Sequence, residues 1–217
     1  MSDDLDDRAR ARLLARVGDY YSSALERHGA TPAGVDWNSA ASQSLRFEQL
    51  IRLFDLEAAA SVNDYGCGYG ALLEFLRGHG FRGRYQGCDV SAAMRAAARE
   101  RHAGDPQAEF VDEPDLAPAE YTFCSGLFNV KLDHDEHTWR AYVFDTLERL
   151  RAASTRGYAF NALTSYADPE RMRPDLHYAD PRELFDHCRR RHSRRLALLH
   201  DYPLYEFTLV VTLEGGA

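Results

Sequence analysis

The chain has 217 residues and a formal net charge of −8. That length suits one domain with an ample core, and the acidic balance argues against nucleic acid as a partner. No apolar run reaches membrane-spanning length, and the acidic start Met1-Ser2-Asp3-Asp4-Leu5-Asp6-Asp7 is unlike a secretory signal, so a cytoplasmic protein without membrane contact is expected.

From Leu5 to about His28, Leu13, Leu14, Val17, Tyr20, Tyr21 and Leu25 recur near helical spacing. Gly29 ends this helix, residues 31–38 read as a loop, and Ser39 caps a second helix running to about Leu56. Residues 1–56 are expected to form a helical cap, part of the same domain, over a core spanning 57–217. Strands are predicted at 60–65, 84–89, 108–111, 120–125, 157–161, 195–201 and 205–213. Helices are predicted at 71–79, 91–102, 136–153 and 181–191, with Ser91 and Asp180 as N-caps. This alternation predicts an α/β fold with a mostly parallel sheet covered by helices. The last two strands lie close enough in sequence to form an antiparallel hairpin. The long stretch 161–180 holds Pro169 and Pro174 and is expected to cross near the active site. Cys67, Cys88 and Cys124 fall at strand ends and read as buried fillers, consistent with a reducing compartment.

The segment Asp64-Tyr65-Gly66-Cys67-Gly68-Tyr69-Gly70 carries the most information. It follows a strand-like run and opens a helical pattern. Alternating glycines let the backbone turn tightly against a ligand, and the helix start offers unpaired N–H groups. With Tyr85-Gln86-Gly87-Cys88-Asp89-Val90-Ser91 and Tyr121-Thr122-Phe123-Cys124-Ser125-Gly126, it resembles the class I S-adenosylmethionine-dependent methyltransferases, across about Leu45 to Leu213. The resemblance implies a Rossmann-like, seven-stranded, three-layer α/β/α domain with an antiparallel last strand. Gly66, Gly68 and Ala71 also satisfy a dinucleotide fingerprint, so an NAD(P)-dependent oxidoreductase is one alternative; a non-catalytic cofactor-binding protein of the same fold is another. Asp64 weighs against the first, because a carboxylate there would repel a pyrophosphate. So do the roughly sixty residues before the loop.

The resemblance implies S-adenosyl-L-methionine as cofactor. Asp64, with the backbone of Gly66, Cys67 and Gly68, is expected at the methionine end. Asp89, beside Val90, should accept from the ribose hydroxyls. Asp112 or Glu113 should lie near the adenine, and Ser125 and Gly126 on the cofactor side of the sheet. Trp37, Gln43 and Arg46 form a second candidate cluster, in which Arg46 is positioned to pair with the cofactor carboxylate. His134, His137, His177 and His200 are candidate bases, with Tyr166, Tyr178 and Tyr202 as pocket-lining candidates. The tract Asp133-His134-Asp135-Glu136-His137 looks like a metal cluster, yet its acids suit a helix start without metal, and no metal is expected. The Asn/Asp-Pro-Pro-aromatic motif of DNA amino-methyltransferases is absent after the fourth strand, where Ser125-Gly126-Leu127-Phe128 stands. The expected reaction is methylation of a small molecule at oxygen or nitrogen.

Overall fold

Apolar residues at every second strand position and along helix stripes sort onto two faces of one sheet. In the computed structural model, which describes residues 5–213, the strands are β1 Ser61–Tyr65, β2 Arg84–Cys88, β3 Ala108–Val111, β4 Ala119–Cys124, β5 Ser154–Leu163, β6 Arg195–Leu199 and β7 Glu206–Thr212. The helices are α1 Asp7–His28, α2 Ala40–Ile51, α3 Ala71–Gly78, α4 Ala92–Arg101, α5 Glu136–Ala152 and α6 Pro181–Arg191. Of the acidic start, Met1 to Asp4 lie outside the described residues.

The strand order is β3-β2-β1-β4-β5-β7-β6. β7 runs antiparallel to both neighbours, and the other pairings are parallel. The sequence-based expectation of a seven-stranded, mostly parallel sheet with an antiparallel final strand therefore holds. β5 is twice as long as predicted, because it is paired along both edges: Ser154–Phe160 with β4 and Gly157–Leu163 with β7. α2 ends at Ile51, earlier than predicted, and turns follow it; one is closed by Asp55, whose side chain accepts from Ala58 N.

Side-chain caps start five of the six helices. Asp6, Ser39, Ser91, Asp135 and Asp180 accept from backbone N–H groups two or three residues on, each contributing about 1 kcal/mol. On one face, Tyr158, Phe160, Ala162, Leu209 and Val211 pack with Leu13 and Val17 of α1 and with α5 and α6. On the other, Val62, Phe123, Ala159 and Val210 pack with α2, α3 and α4. The odd–even split along β5 and β7 is the two-residue strand period made visible. α2 lies in this second layer, with Phe47 and Leu50 buried.

Candidate cofactor and active site

The strand order reverses between β1 and β4, so their carboxyl ends open the crevice where open α/β sheets bind ligands. The glycine loop after β1 sits there. Gly66 N and Cys67 N both donate to Cys88 O at the end of β2 (2.8 and 2.9 Å), pinning the loop across the crevice. Gly66, Gly68 and Gly70 take positive φ (84°, 52° and 81°), a conformation open to glycine at little cost. Gly68 N donates to Asp89 Oδ2 at 2.9 Å, and Ser91 N to Asp89 Oδ1 at 2.8 Å. Asp89 is thereby fixed with carboxylate lone pairs still unused.

After β4, Asn161 holds the turn: Gly126 N donates to its Oδ1 at 2.7 Å, and its Nδ2 donates to Ser125 Oγ at 3.5 Å. Gly126 has φ +72°, and Trp37 lies so close that a Cβ there would overlap its ring. These loops line a pocket together with Leu14, Val17 and Tyr21 of α1 and Val35 of the following 3-10 turn. α1 is tied down at both ends of this roof. Arg10 donates to Asp145 (2.9 Å) and Glu113 (2.7 Å), and Ser22 Oγ lies 2.9 Å from Ser91 Oγ.

Three carboxylates, Asp64, Asp89 and Glu113, line this pocket. Burial pushes Asp64 up to about 7, helped by the nearby charge of Asp89, although Tyr85 O–H donates to Asp64 Oδ2 at 2.6 Å and opposes the shift. Burial also raises Asp89, against the two backbone donors that favour its charge. The tyrosines Tyr21, Tyr65 and Tyr142 in the walls are all pushed up by burial, which keeps them neutral.

Residues 62–153 match a family model described as a methyltransferase domain. The chain is 49% identical over 162 residues to Rv1506c of Mycobacterium tuberculosis, named as a methyltransferase, covering 74% of this chain and 98% of the relative. The chain belongs to the class I S-adenosylmethionine-dependent methyltransferases. Its fold matches magnesium protoporphyrin IX methyltransferase from Synechocystis PCC 6803 with bound cofactor (TM-score 0.65, 15% identity, 93% of this chain and 97% of that one). It also matches the DhpI–S-adenosylhomocysteine complex (TM-score 0.60, 19% identity, 94% and 98%). The protein is a methyltransferase with S-adenosyl-L-methionine as its cofactor, which sets the dinucleotide alternative aside. The lining suits that cofactor: buried carboxylates able to meet a cation and accept from hydroxyls, beside apolar walls.

The structure brings most of the sequence-predicted residues of this methyltransferase to one pocket. Asp64, Gly66, Cys67, Gly68, Asp89, Val90, Glu113, Ser125, Gly126, Gln43 and Trp37 all line it. Two do not. Arg46 was expected at the cofactor carboxylate, but it is buried against Glu206, donating through Nε at 2.9 and 2.8 Å and through Nη2 at 2.5 Å. Its guanidinium also lies 3.9 Å from the Trp37 ring centroid, so it backs the pocket wall without entering it. Asp112 is exposed and pairs with Arg95, whereas its neighbour Glu113 turns inward to Arg10 and Arg149.

No histidine lines the pocket among the described residues. His177 Nδ1 contacts Glu136, His134 stacks on Trp139, and His200 is exposed beside the exposed Tyr166. Tyr178 O–H accepts from Arg173 N, and Tyr202 pairs with Thr208. Leu14, Val17 and Tyr21 were readable in sequence as an amphipathic stripe, though not as pocket walls. Tyr65, Leu127 and Tyr142 gave no sequence clue, since their placement depends on how β1, β4 and α5 converge.

Proposed function

We propose that this enzyme transfers a methyl group to an oxygen or nitrogen of a small molecule. The observation that supports this best is the roof. α1 and the 31–38 segment cover part of the crevice with Leu14, Val17, Tyr21, Val35 and Trp37, leaving a partly open, mainly apolar space. A polymer would need that roof displaced, and a chain of charge −8 offers little attraction to nucleic acid. In this reading Asp64 holds the methionine ammonium, with the Gly66–Gly68 backbone beside it. Asp89 accepts from the ribose hydroxyls, with Val90 alongside. Glu113 faces the adenine end, and Ser125, Gly126 and Trp37 border the reacting end. The domain reading divides the chain at about residue 56, with the preceding helices as the cap. The four buried free cysteines fit a reducing cytoplasm.

When bound, the cofactor supplies a methyl group activated on a sulfonium. The protein's part is proximity and orientation. Glu113 is committed to two arginines, and the wall tyrosines stay protonated. This set favours an acceptor already nucleophilic near neutral pH, such as a neutral amine or an acidic hydroxyl, over an alcohol that needs a strong base.

The test uses methyl-labelled cofactor and the purified chain, with separated small-molecule, nucleic-acid and protein fractions of a lysate. Label should enter the small-molecule fraction. Label in a polymer fraction would overturn the substrate class. Tight S-adenosylhomocysteine binding with no transfer to any fraction would count against catalysis.

A further inference from the structure

The helix layer behind the sheet holds a second group of chemically capable side chains. Glu148 on α5, His187 on α6 and His192 at the end of α6 place one ligand atom each within 4.8 Å of one another. Their residues share nothing with the cofactor pocket. We infer that Glu148, His187 and His192 form a binding site for a divalent transition-metal ion.

The geometry around Glu148 Oε1 carries the argument. His187 Nε2 lies 3.2 Å from it, His192 Nε2 3.3 Å, and Arg191 Nε donates to it at 2.8 Å. Three nitrogens crowd an oxygen that has two lone pairs. The mismatch falls on His192: its side chain is 1% exposed, and its Nε2 makes no hydrogen bond. Ligand atoms bound at about 2.0–2.1 Å in tetrahedral geometry sit about 3.3 Å apart. The two histidine–glutamate separations already have that spacing.

A second feature prepares His192 as a ligand. Its Nδ1 meets Tyr158 O–H, and that hydroxyl donates to Cys188 Sγ at 3.3 Å. With the Tyr158 O–H aimed at sulfur, its oxygen is free to accept from His192 Nδ1–H, and in that tautomer the Nε2 lone pair is available to a metal. Metal-binding histidines are held by this kind of partner on the other ring nitrogen. A cavity of about 530 Å³ opens beside Glu148 and His187, between Phe144 and Arg191, and gives water a route to a fourth position. Two histidines and one carboxylate suit zinc-class ions. A metal bound at Oε1 would take the place of the Arg191 contact there, and the guanidinium would shift to Oε2 of the same carboxylate.

The experiment is a Zn²⁺ titration by calorimetry on tag-free, EDTA-treated full-length protein, with Co²⁺ absorption as an independent reading of coordination. One ion per chain is expected. His187→Ala and Glu148→Gln should each weaken binding by about tenfold or more while S-adenosylhomocysteine binding, measured on the same samples, stays unchanged and reports an intact fold. His137→Ala, in the acidic tract at the start of α5, should leave Zn²⁺ binding as it was. Absence of Zn²⁺ binding, equal binding in the His187 and Glu148 variants, or loss in His137→Ala would each overturn the assignment.

Discussion

If Asp64 holds the methionine ammonium as proposed, cofactor affinity should depend on pH. Its carboxyl sits at about 7, chiefly through burial and then through Asp89, so it is neutral below that pH and ionised above it. A cationic ligand group binds the ionised form. Affinity should therefore be present above pH 7 and lost as pH falls through it. With a midpoint of 7, the ionised fraction drops from about three quarters at pH 7.5 to about a tenth at pH 6.0. S-adenosylmethionine should bind roughly eightfold more weakly at pH 6.0, a change of about 1.3 kcal/mol. At pH 6.0 the ligand's amine is protonated, so the loss at the acidic end belongs to the carboxylate. Calorimetry in two buffers of different ionisation heat gives the proton count: about one proton released on binding at pH 6.0, and little or none at pH 7.5. Asp64→Asn should bind more weakly and show neither the slope nor the proton release. A flat affinity with no released proton, or proton release surviving in Asp64→Asn, would refute the assignment of this carboxylate to the cationic end.

Asp89→Ala removes the acceptor for Gly68 N and Ser91 N along with the proposed ribose contact. S-adenosylhomocysteine affinity should fall by about 1–3 kcal/mol, and wild-type affinity in a folded variant would sink the ribose role. Gly126→Ala puts a Cβ into the Trp37 ring at a position with φ +72°. A loss of about 1–2 kcal/mol in thermal stability is expected from the backbone alone, with altered Trp37 fluorescence; an unchanged melting temperature would contradict the close approach. Glu206→Gln leaves the Arg46 charge buried without its counter-ion. Denaturant unfolding should show a loss of about 3–5 kcal/mol, and the double variant Arg46→Leu/Glu206→Leu should lose less than the single one.

Whether a site residue could be read from the sequence depended on the chain distance to its partner. Asp64, Gly66 and Gly68 lie on one strand–turn–helix unit, and the glycine spacing alone implies the turn. Asp89 needed only the next strand, paired in register with β1. Arg46 shares a helix face with Gln43, and that local rule pointed it at the pocket. Its position is decided by Glu206, 160 residues later, which approaches because β7 slots in beside β5. The choice between Asp112 and Glu113 turned on Arg10 and Arg149, from two different helices. The candidate histidines lie elsewhere for a related reason: among the described residues, the crevice is lined by the loops after β1, β2 and β4, the residues just past β3 and the helices that cover them, and none of these brings a histidine into it.

The same burial that gives the pocket its affinity also works against the empty fold. In the folded chain Asp64 holds its proton to about pH 7, whereas an unfolded aspartate releases it near 3.8. Between those values the folded state binds the extra proton, so this group's contribution to stability falls as pH rises from about 4 to 7. A cation seated on Asp64 reverses the term by favouring the ionised form. On the proposed assignment, cofactor binding and folding are linked through this one buried carboxylate.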